Sequence, residues 1–357
     1  MAPDEGGSSV VRELLTDPAR GGGKKESEKG PLSDEERKRR RRKIVALLLI
    51  LAALIVLLIM LLRSVSGNSP LPGIPSDVPS HVSNIYGVEQ PMGIAVSPDG
   101  NRIYVTESEG PRFVRVFNSS GDKIGTLKPP GPKGAWRLPV YVAVEPNSED
   151  VWVSDRLREE VDVYGPEGKY LRAFKPTGAL GKGANPLGLA FGPEGDLYMT
   201  DVRGKRQDQG VLVFKPDSEK PLRRIGKPGE FWFPNEITVD GNGNVYVADS
   251  DNGQVLIFDP KGSLASSIAR GVGEGDLGLP RGVALDGEHL FVTDTTAHTI
   301  KVYDHPGNVS DVPRYLGSFG VQGVGDDQFQ YPNGIAVANG KIYVTDRENN
   351  RLQIWSY

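Results

Sequence analysis

Residues 82–357 predict an all-β ring of six radial, four-stranded antiparallel sheets, a six-bladed β-propeller, and three observations predict it. The chain holds 45 glycines and 28 prolines in 357 residues, too many for a helical protein and suited to short strands joined by turns. A proline stands before a short apolar strand six times, at Pro91, Pro139, Pro186, Pro234, Pro280 and Pro332. An acid follows each proline by 14 to 16 residues, at Glu107, Asp155, Asp201, Asp249, Asp294 and Asp346. A period near 48 residues in all-strand sequence is that of propeller blades.

Each copy carries the same strand chemistry. Its first strand is IAV, VAV, LAF, ITV, VAL or IAV, apolar on both faces as a strand buried between neighbouring sheets must be. Its second strand holds an aromatic: Tyr104, Trp152, Tyr198, Tyr246, Phe291 or Tyr343. Its third strand ends in another: Phe117, Tyr164, Phe214, Phe258, Tyr303 or Trp355. Rings at fixed positions fill the gap that widens between radial sheets. A weaker fourth strand follows in the first five copies, as in YLRAF at 170–174. The sixth copy stops after its third strand, and VSNIYG at 82–87 has the spacing of the missing fourth. Pairing it beside 351–355 makes an N-terminal strand close the last blade and leaves no exposed sheet edge.

The pattern Pro-x-Gly-[IVL]-Ala-Val, then Tyr-Val-[TA]-[DE], then Val-x-[VI]-[FYW] resembles the NHL-repeat β-propeller family over about three quarters of the chain. The resemblance is specific for fold and unspecific for activity. It implies one of several roles: a sensor or scaffold domain, a ligand-binding module, or a metal-dependent lyase or lactonase.

Ahead of the repeats the chain divides into three parts. Residues 1–43 are a charged, Gly-rich disordered tail with 12 Lys/Arg against 9 Asp/Glu. Residues 44–62, IVALLLILAALIVLLIMLL, have neither charge nor Gly nor Pro, and at about 1.5 Å per residue they match a bilayer's hydrocarbon thickness. RKRRRRK at 37–43 precedes this transmembrane helix, so the positive-inside rule expects a cytoplasmic N-terminus and a propeller outside the cell membrane, with membrane lipid as one partner. The length of the apolar run and the tail before it favour an uncleaved single-pass anchor over a signal peptide. Residues 63–81 are a Pro/Ser/Gly stalk.

Composition excludes some functions. With no cysteine there are no disulfides and no thiolate-held zinc. Beyond residue 43 the chain has 30 Lys/Arg and 37 Asp/Glu, an acidic balance that gives no reason to expect a nucleic-acid partner.

A position repeated six times serves architecture, so the six acids read as turn-formers whose carboxylates bind local N–H groups. Departures from the repeat are where a site would lie. The residues after the six prolines are Met92, Val140, Leu187, Asn235, Arg281 and Asn333, all expected near the channel mouth on one face. One residue further on, four copies have glycine, but the second has Tyr141 and the fourth Glu236. Asn235, Glu236, Arg281, Asn333 and Tyr141 thus form the candidate pocket, for a polar or anionic small molecule. The plainer alternative is turn capping by the asparagines with an Arg281–Glu236 ion pair. FWF at 231–233 and Trp136 are expected beside the mouth, and the charged loops of that face offer a protein-docking surface.

No complete catalytic or metal-ligand set is evident, and no cofactor is expected. Lactonases that the repeats resemble bind calcium through Glu and Asn/Asp, and Asn235, Glu236 and Asn333 are the comparable cluster, with the Arg281 cation set unfavourably among them. The zinc lyases use histidines at blade starts. None of His81, His289, His298 and His305 occupies such a position. A protein- or ligand-binding scaffold module is therefore the leading expectation, and a calcium-dependent lactonase- or lyase-like enzyme the alternative.

Overall fold

A computed structural model of the chain describes residues 79–131, 137–178 and 181–357, together with the isolated positions Glu35, Lys38, Lys43 and Leu51. The tail, the apolar run 44–62 and the stalk up to residue 78 therefore lie outside the described residues but for those four positions, and Trp136 lies outside them too. Among the described residues no helix is long and apolar enough to cross a membrane.

The repeats fold as expected, into six four-stranded antiparallel sheets. Strand β1 is Ser80–Tyr86. Blade 1 is β2 (Pro91–Val96), β3 (Arg102–Glu107), β4 (Val114–Asn118) and β5 (Lys123–Leu127). Blade 2 is β6 (Pro139–Val144), β7 (Val151–Asp155), β8 (Glu160–Tyr164) and β9 (Tyr170–Phe174). Blade 3 is β10 (Pro186–Phe191), β11 (Leu197–Asp201), β12 (Gly210–Phe214) and β13 (Arg223–Ile225). Blade 4 is β14 (Pro234–Val239), β15 (Val245–Asp249), β16 (Gln254–Phe258) and β17 (Leu264–Ile268). Blade 5 is β18 (Pro280–Leu285), β19 (His289–Asp294), β20 (Thr299–Asp304) and β21 (Tyr315–Phe319). The short pair β22 (Val321–Gln322) and β23 (Gln328–Phe329) leads to blade 6: β24 (Pro332–Ala338), β25 (Lys341–Asp346) and β26 (Arg351–Ser356).

Blade 6 is completed by β1, which runs antiparallel to β26 from Ser80 opposite Ser356 to Tyr86 opposite Arg351. The closing strand starts earlier than sequence spacing suggests and takes in Ser80 and His81, which composition assigns to the stalk. The reason is the long β26 partner, which offers ladder positions out to Ser356.

In every blade the repeat proline lies directly across the ladder from the repeat acid: Pro91 from Glu107, Pro139 from Asp155, Pro186 from Asp201, Pro234 from Asp249, Pro280 from Asp294 and Pro332 from Asp346. Each proline is followed by a register shift, a bulge that an amide-free residue at the strand start tolerates. The acid then catches an amide just ahead of that proline. Asp155 Oδ1 accepts from Leu138 N, Asp201 Oδ1 from Asn185 N and Asp294 Oδ1 from Leu279 N, one residue before the proline. In blades 1, 4 and 6 the bonded amides are Glu89, Trp232 and Gln330, two residues before it. The extra residue in those three blades, Gln90, Phe233 or Tyr331, sits at φ 43°, 60° or 54°. A side chain from the preceding blade holds it there: Asn350 Oδ1, Gln209 Oε1 or His298 Nδ1 accepts its N–H.

Among the described residues the apolar core lies between blades as six seams, with a seventh, smaller cluster of Val140, Tyr141, Leu187 and Val202. One seam packs Trp152, Val163 and Phe174 of blade 2 on Leu189, Met199 and Phe214 of blade 3, with Trp152 edge-on to Phe174 at 5.3 Å. The seam that closes the ring packs Ile85 of β1 with Leu352 and Tyr343 against Ile94 and Phe117 of blade 1.

Around the axis, hydroxyls staple five of the six blades to the next. Thr106 Oγ1 accepts from Gly93 N at 2.8 Å and donates to Val140 O of blade 2 at 2.7 Å. Ser154, Thr200, Thr293 and Thr345 repeat this, donating to Leu187 O, Asn235 O, Asn333 O and Met92 O. Glycine is needed at the inner position because the backbones nearly touch: a Cβ on Gly93 would stand 2.6 Å from Val140 O. Thr200→Val keeps the shape and removes both bonds of one staple, leaving a buried amide and carbonyl unpaired. The expected loss is about 1–3 kcal/mol, read from the unfolding midpoint.

Candidate functional site

The staple fails in one blade, and the candidate site is there. Blade 4 has Ala248 where the others have Thr or Ser, and Glu236 where four others have glycine. With no hydroxyl at 248, Arg281 O of blade 5 is instead bonded by the Tyr141 hydroxyl of blade 2, across the channel, at 3.3 Å. The two blades with a side chain at the inner position are those whose staple residue is not threonine, Ser154 and Ala248.

All five residues singled out in the sequence converge on the axis. The one Tyr141 hydroxyl proton is shared between Arg281 O and Asn235 Oδ1, each at 3.3 Å, and the oxygen accepts from Asn333 Nδ2 at 3.4 Å. Asn235 Nδ2 donates to Ser250 Oγ at 2.5 Å, and Asn333 Nδ2 also reaches Met92 O at 3.2 Å. Glu236 Oε2 accepts two backbone amides, Val283 N at 3.1 Å and Ile335 N at 3.3 Å, so blade 4 is tied to blades 5 and 6. Tyr141, Asn235, Glu236 and Asn333 are buried, whereas Arg281 is half-buried.

The ion pair offered as the plainer reading does not form. Arg281 Nη1 donates to Asn333 Oδ1 at 3.4 Å, its Nε is buried without a partner, and among the described residues no acid pairs with it. Glu236 turns Oε2 instead to the two backbone amides of blades 5 and 6.

Burial pushes the Glu236 carboxyl well above the usual carboxylate range, against the pull of the Ile335 and Val283 amides. Burial also raises the Tyr141 phenol, with the Glu236 charge adding to it and the Arg281 charge opposing it. A carboxyl whose folded pKa is raised still holds its proton where the unfolded chain has released it. Stability therefore falls as pH rises from the ordinary glutamate value through the folded one. Glu236→Gln, which keeps an oxygen for the two amides, should match the wild type in acid and exceed it in unfolding midpoint at pH 8. A wild type as stable as the variant at pH 8 would contradict the assigned burial cost.

The calcium set suggested by resemblance does not fit. The oxygens of Asn235 and Asn333 are engaged by Tyr141 and Arg281, and one oxygen of Glu236 by amides, with a guanidinium alongside. Among the described residues no three His, Asp or Glu side chains gather to hold a metal. The histidines are dispersed: His81 bonds Asn84, His289 meets Asp286, His298 accepts Tyr331 N–H, and His305 pairs with Tyr246 OH. Of the aromatics expected beside the mouth, Phe231 is fully buried between blades, Phe233 half-buried, and Trp232 47% exposed.

What sequence reading missed is the staple hydroxyl one residue before each acid, whose single gap at Ala248 coincides with Glu236. Both are visible in the repeat alignment, but the meaning of the gap requires knowing which carbonyl the hydroxyl meets.

The chain carries NHL repeats and is a six-bladed propeller: the NHL repeat matches residues 231–258 and 329–355. Peptidyl-alpha-hydroxyglycine alpha-amidating lyase 2 of Drosophila melanogaster is 25% identical over 331 residues, covering 81% of this chain and 78% of that protein. The peptidylglycine alpha-amidating monooxygenase of Rattus norvegicus is 26% identical over 171 residues, 44% of this chain, and the match spans only 17% of that protein. Virginiamycin B lyase from Staphylococcus aureus shares the fold at a TM-score of 0.53 and 16% identity, over 75% of this chain and 80% of that one. A chain of a nidogen/laminin complex does so at 0.56 and 18%, over 71% and 86%. A lyase and an assembly of binding proteins lie at similar distance, so the fold is common to both kinds of function.

Proposed function

We propose that this chain is a membrane-anchored NHL propeller that works outside the membrane as a binding and scaffold module, with a small polar or anionic ligand taken at the channel mouth. The observation that carries the reading is Arg281. It is the single cation among the six residues after the repeat prolines, half-buried beside two asparagines, and no described acid neutralises it. Burying the Glu236 carboxyl and giving up the hydroxyl at 248 are departures that five blades do without, and rule-breaking of this kind concentrates at functional sites. The apolar run 44–62 and the basic cluster 37–43 support the anchor and its orientation.

The test uses the full chain in nanodiscs. Melting is followed with a panel of small carboxylates and phosphates, expecting at least one to raise the midpoint in the wild type and not in Arg281→Ala. A panel without effect, or a shift that survives the substitution, would dismiss the mouth as the site. Protease treatment of intact cells should remove the propeller, and its protection would reverse the orientation.

A second reading rests on the name of the Drosophila relative: a lyase acting on peptidyl-α-hydroxyglycines. Turnover of such a peptide by the purified chain, lost in Glu236→Gln, would favour it. No turnover, or turnover indifferent to that change, would not.

A further inference from the structure

The loop between the second and third strands has four residues in blades 2, 4, 5 and 6, but in blade 3 it has eight, 202–209, and contains a 3₁₀ turn at Arg206–Asp208. The added length reaches over blade 4. Arg206 Nε donates to Gly229 O at 3.0 Å and its Nη2 to Asn252 Oδ1 at 2.9 Å, which fixes the guanidinium 5.3 Å from the centroid of the Trp232 ring. Trp232 is 47% exposed although its own amide is anchored to Asp249. Beside it Phe233 is kept at φ 60°, a conformation disfavoured for an aromatic residue, with Arg156 5.0 Å above its ring. A half-exposed tryptophan under an arginine fixed by two hydrogen bonds has no packing role that would require it to face solvent.

Charge indicates what would cover it. Of the acids near this platform Glu159 pairs with Arg203, while Asp208, Glu230 and Asp251 keep their charge, the first two accepting the backbone amides of Lys205 and Lys227, so three carboxylates stand against Arg156, Arg206 and three lysines. The exposed lysines 182, 205 and 227 have no described acid partner. This is a cationic island on a domain whose overall balance is acidic.

We propose that Trp232, Phe233, Arg206 and Arg156 form a preformed docking platform for a partner-protein segment that carries carboxylates next to an aromatic side chain. Tryptophan and arginine are the residues that dominate protein interfaces, and pre-organisation spares the ordering cost of binding. Phe233 packs inward on the apolar side of the channel mouth, with Val140, Tyr141 and Leu187, whereas Trp232 and Arg206 lie outside that cluster and need no ligand there.

A fluorescent peptide of three Glu-Tyr repeats is titrated against the full chain in nanodiscs. Binding is expected, weakened by added salt, reduced about tenfold or more by Trp232→Ala and by Arg206→Ala, and largely restored in Trp232→Phe. Unchanged melting of the exposed-site variants shows that the loss is not one of folding. The proposal is overturned if the peptide fails to bind the wild type or binds Trp232→Ala equally. It is also overturned if a Lys-Tyr peptide or a single-stranded oligonucleotide binds better than the Glu-Tyr peptide.

Discussion

Removing residues 80–86 from the full chain should lower stability by on the order of 5 kcal/mol and make the protein self-associate. The closing strand contributes a ladder from Ser80–Ser356 to Tyr86–Arg351, a hydrogen bond from Asn84 Nδ2 to Asp326 Oδ1 at 2.8 Å, and the buried side chain of Ile85. Ile85 sits with Ile94, Phe117 and Leu352 in the last seam, so Ile85→Ala by itself should cost about 2–4 kcal/mol. Without β1, the backbone of β26 becomes an open edge carrying Trp355, a template for pairing with a second chain. Denaturant unfolding followed by tryptophan emission, with light scattering for association, reads both effects. A deletion variant with an unaltered midpoint would mean that the ring does not depend on this strand.

Asp346→Ala should be the most damaging of the six possible repeat-acid truncations, at about 3–5 kcal/mol. Asp346 is fully buried and serves four donors: Gln330 N at 2.7 Å, Asn349 Nδ2 at 2.8 Å, Arg351 Nε at 2.8 Å and Gln353 Nε2 at 3.0 Å. The Arg351 side chain is 3% exposed, so truncation strands a cation away from water. Asp201 offers the contrast, because among the described residues its carboxylate bonds the amides of Asn185 and Arg203 and has no buried ion-pair partner. Asp201→Ala should cost about 1–3 kcal/mol. Equal losses in the two variants, measured under the same conditions, would show that the buried charge is not what makes Asp346 special.

The architecture was legible because a repeated unit reports its own constraints six times. The proline and acid of each copy stand at a near-constant spacing, and the ladder places them opposite one another in all six blades. The missing fourth strand of the last copy was equally legible, since strand counting leaves one orphan at each end. The members of the candidate site were legible too, as departures at equivalent positions. Their chemistry was not. An Arg281–Glu236 ion pair is the natural expectation for opposite charges on adjacent blades, yet the carboxylate turns to the amides of Val283 and Ile335.

By itself, then, the sequence determined the number of blades, the strand that closes them, and which positions depart from the repeat. The blade count and the departures depend on local periodicity and on pairing between strands adjacent in the chain. The closing strand, which pairs Ser80 with Ser356, follows from the one strand that the count leaves over at each end. Only the tertiary structure decided that Tyr141 answers for the hydroxyl absent at Ala248, and that the long third-blade loop fixes Arg206 against Trp232. The first contact joins residues 140 positions apart across the axis, and the second joins neighbouring blades. Ring closure brings such side chains within bonding distance, and no pattern along the chain encodes which of several polar partners is met when the ring shuts.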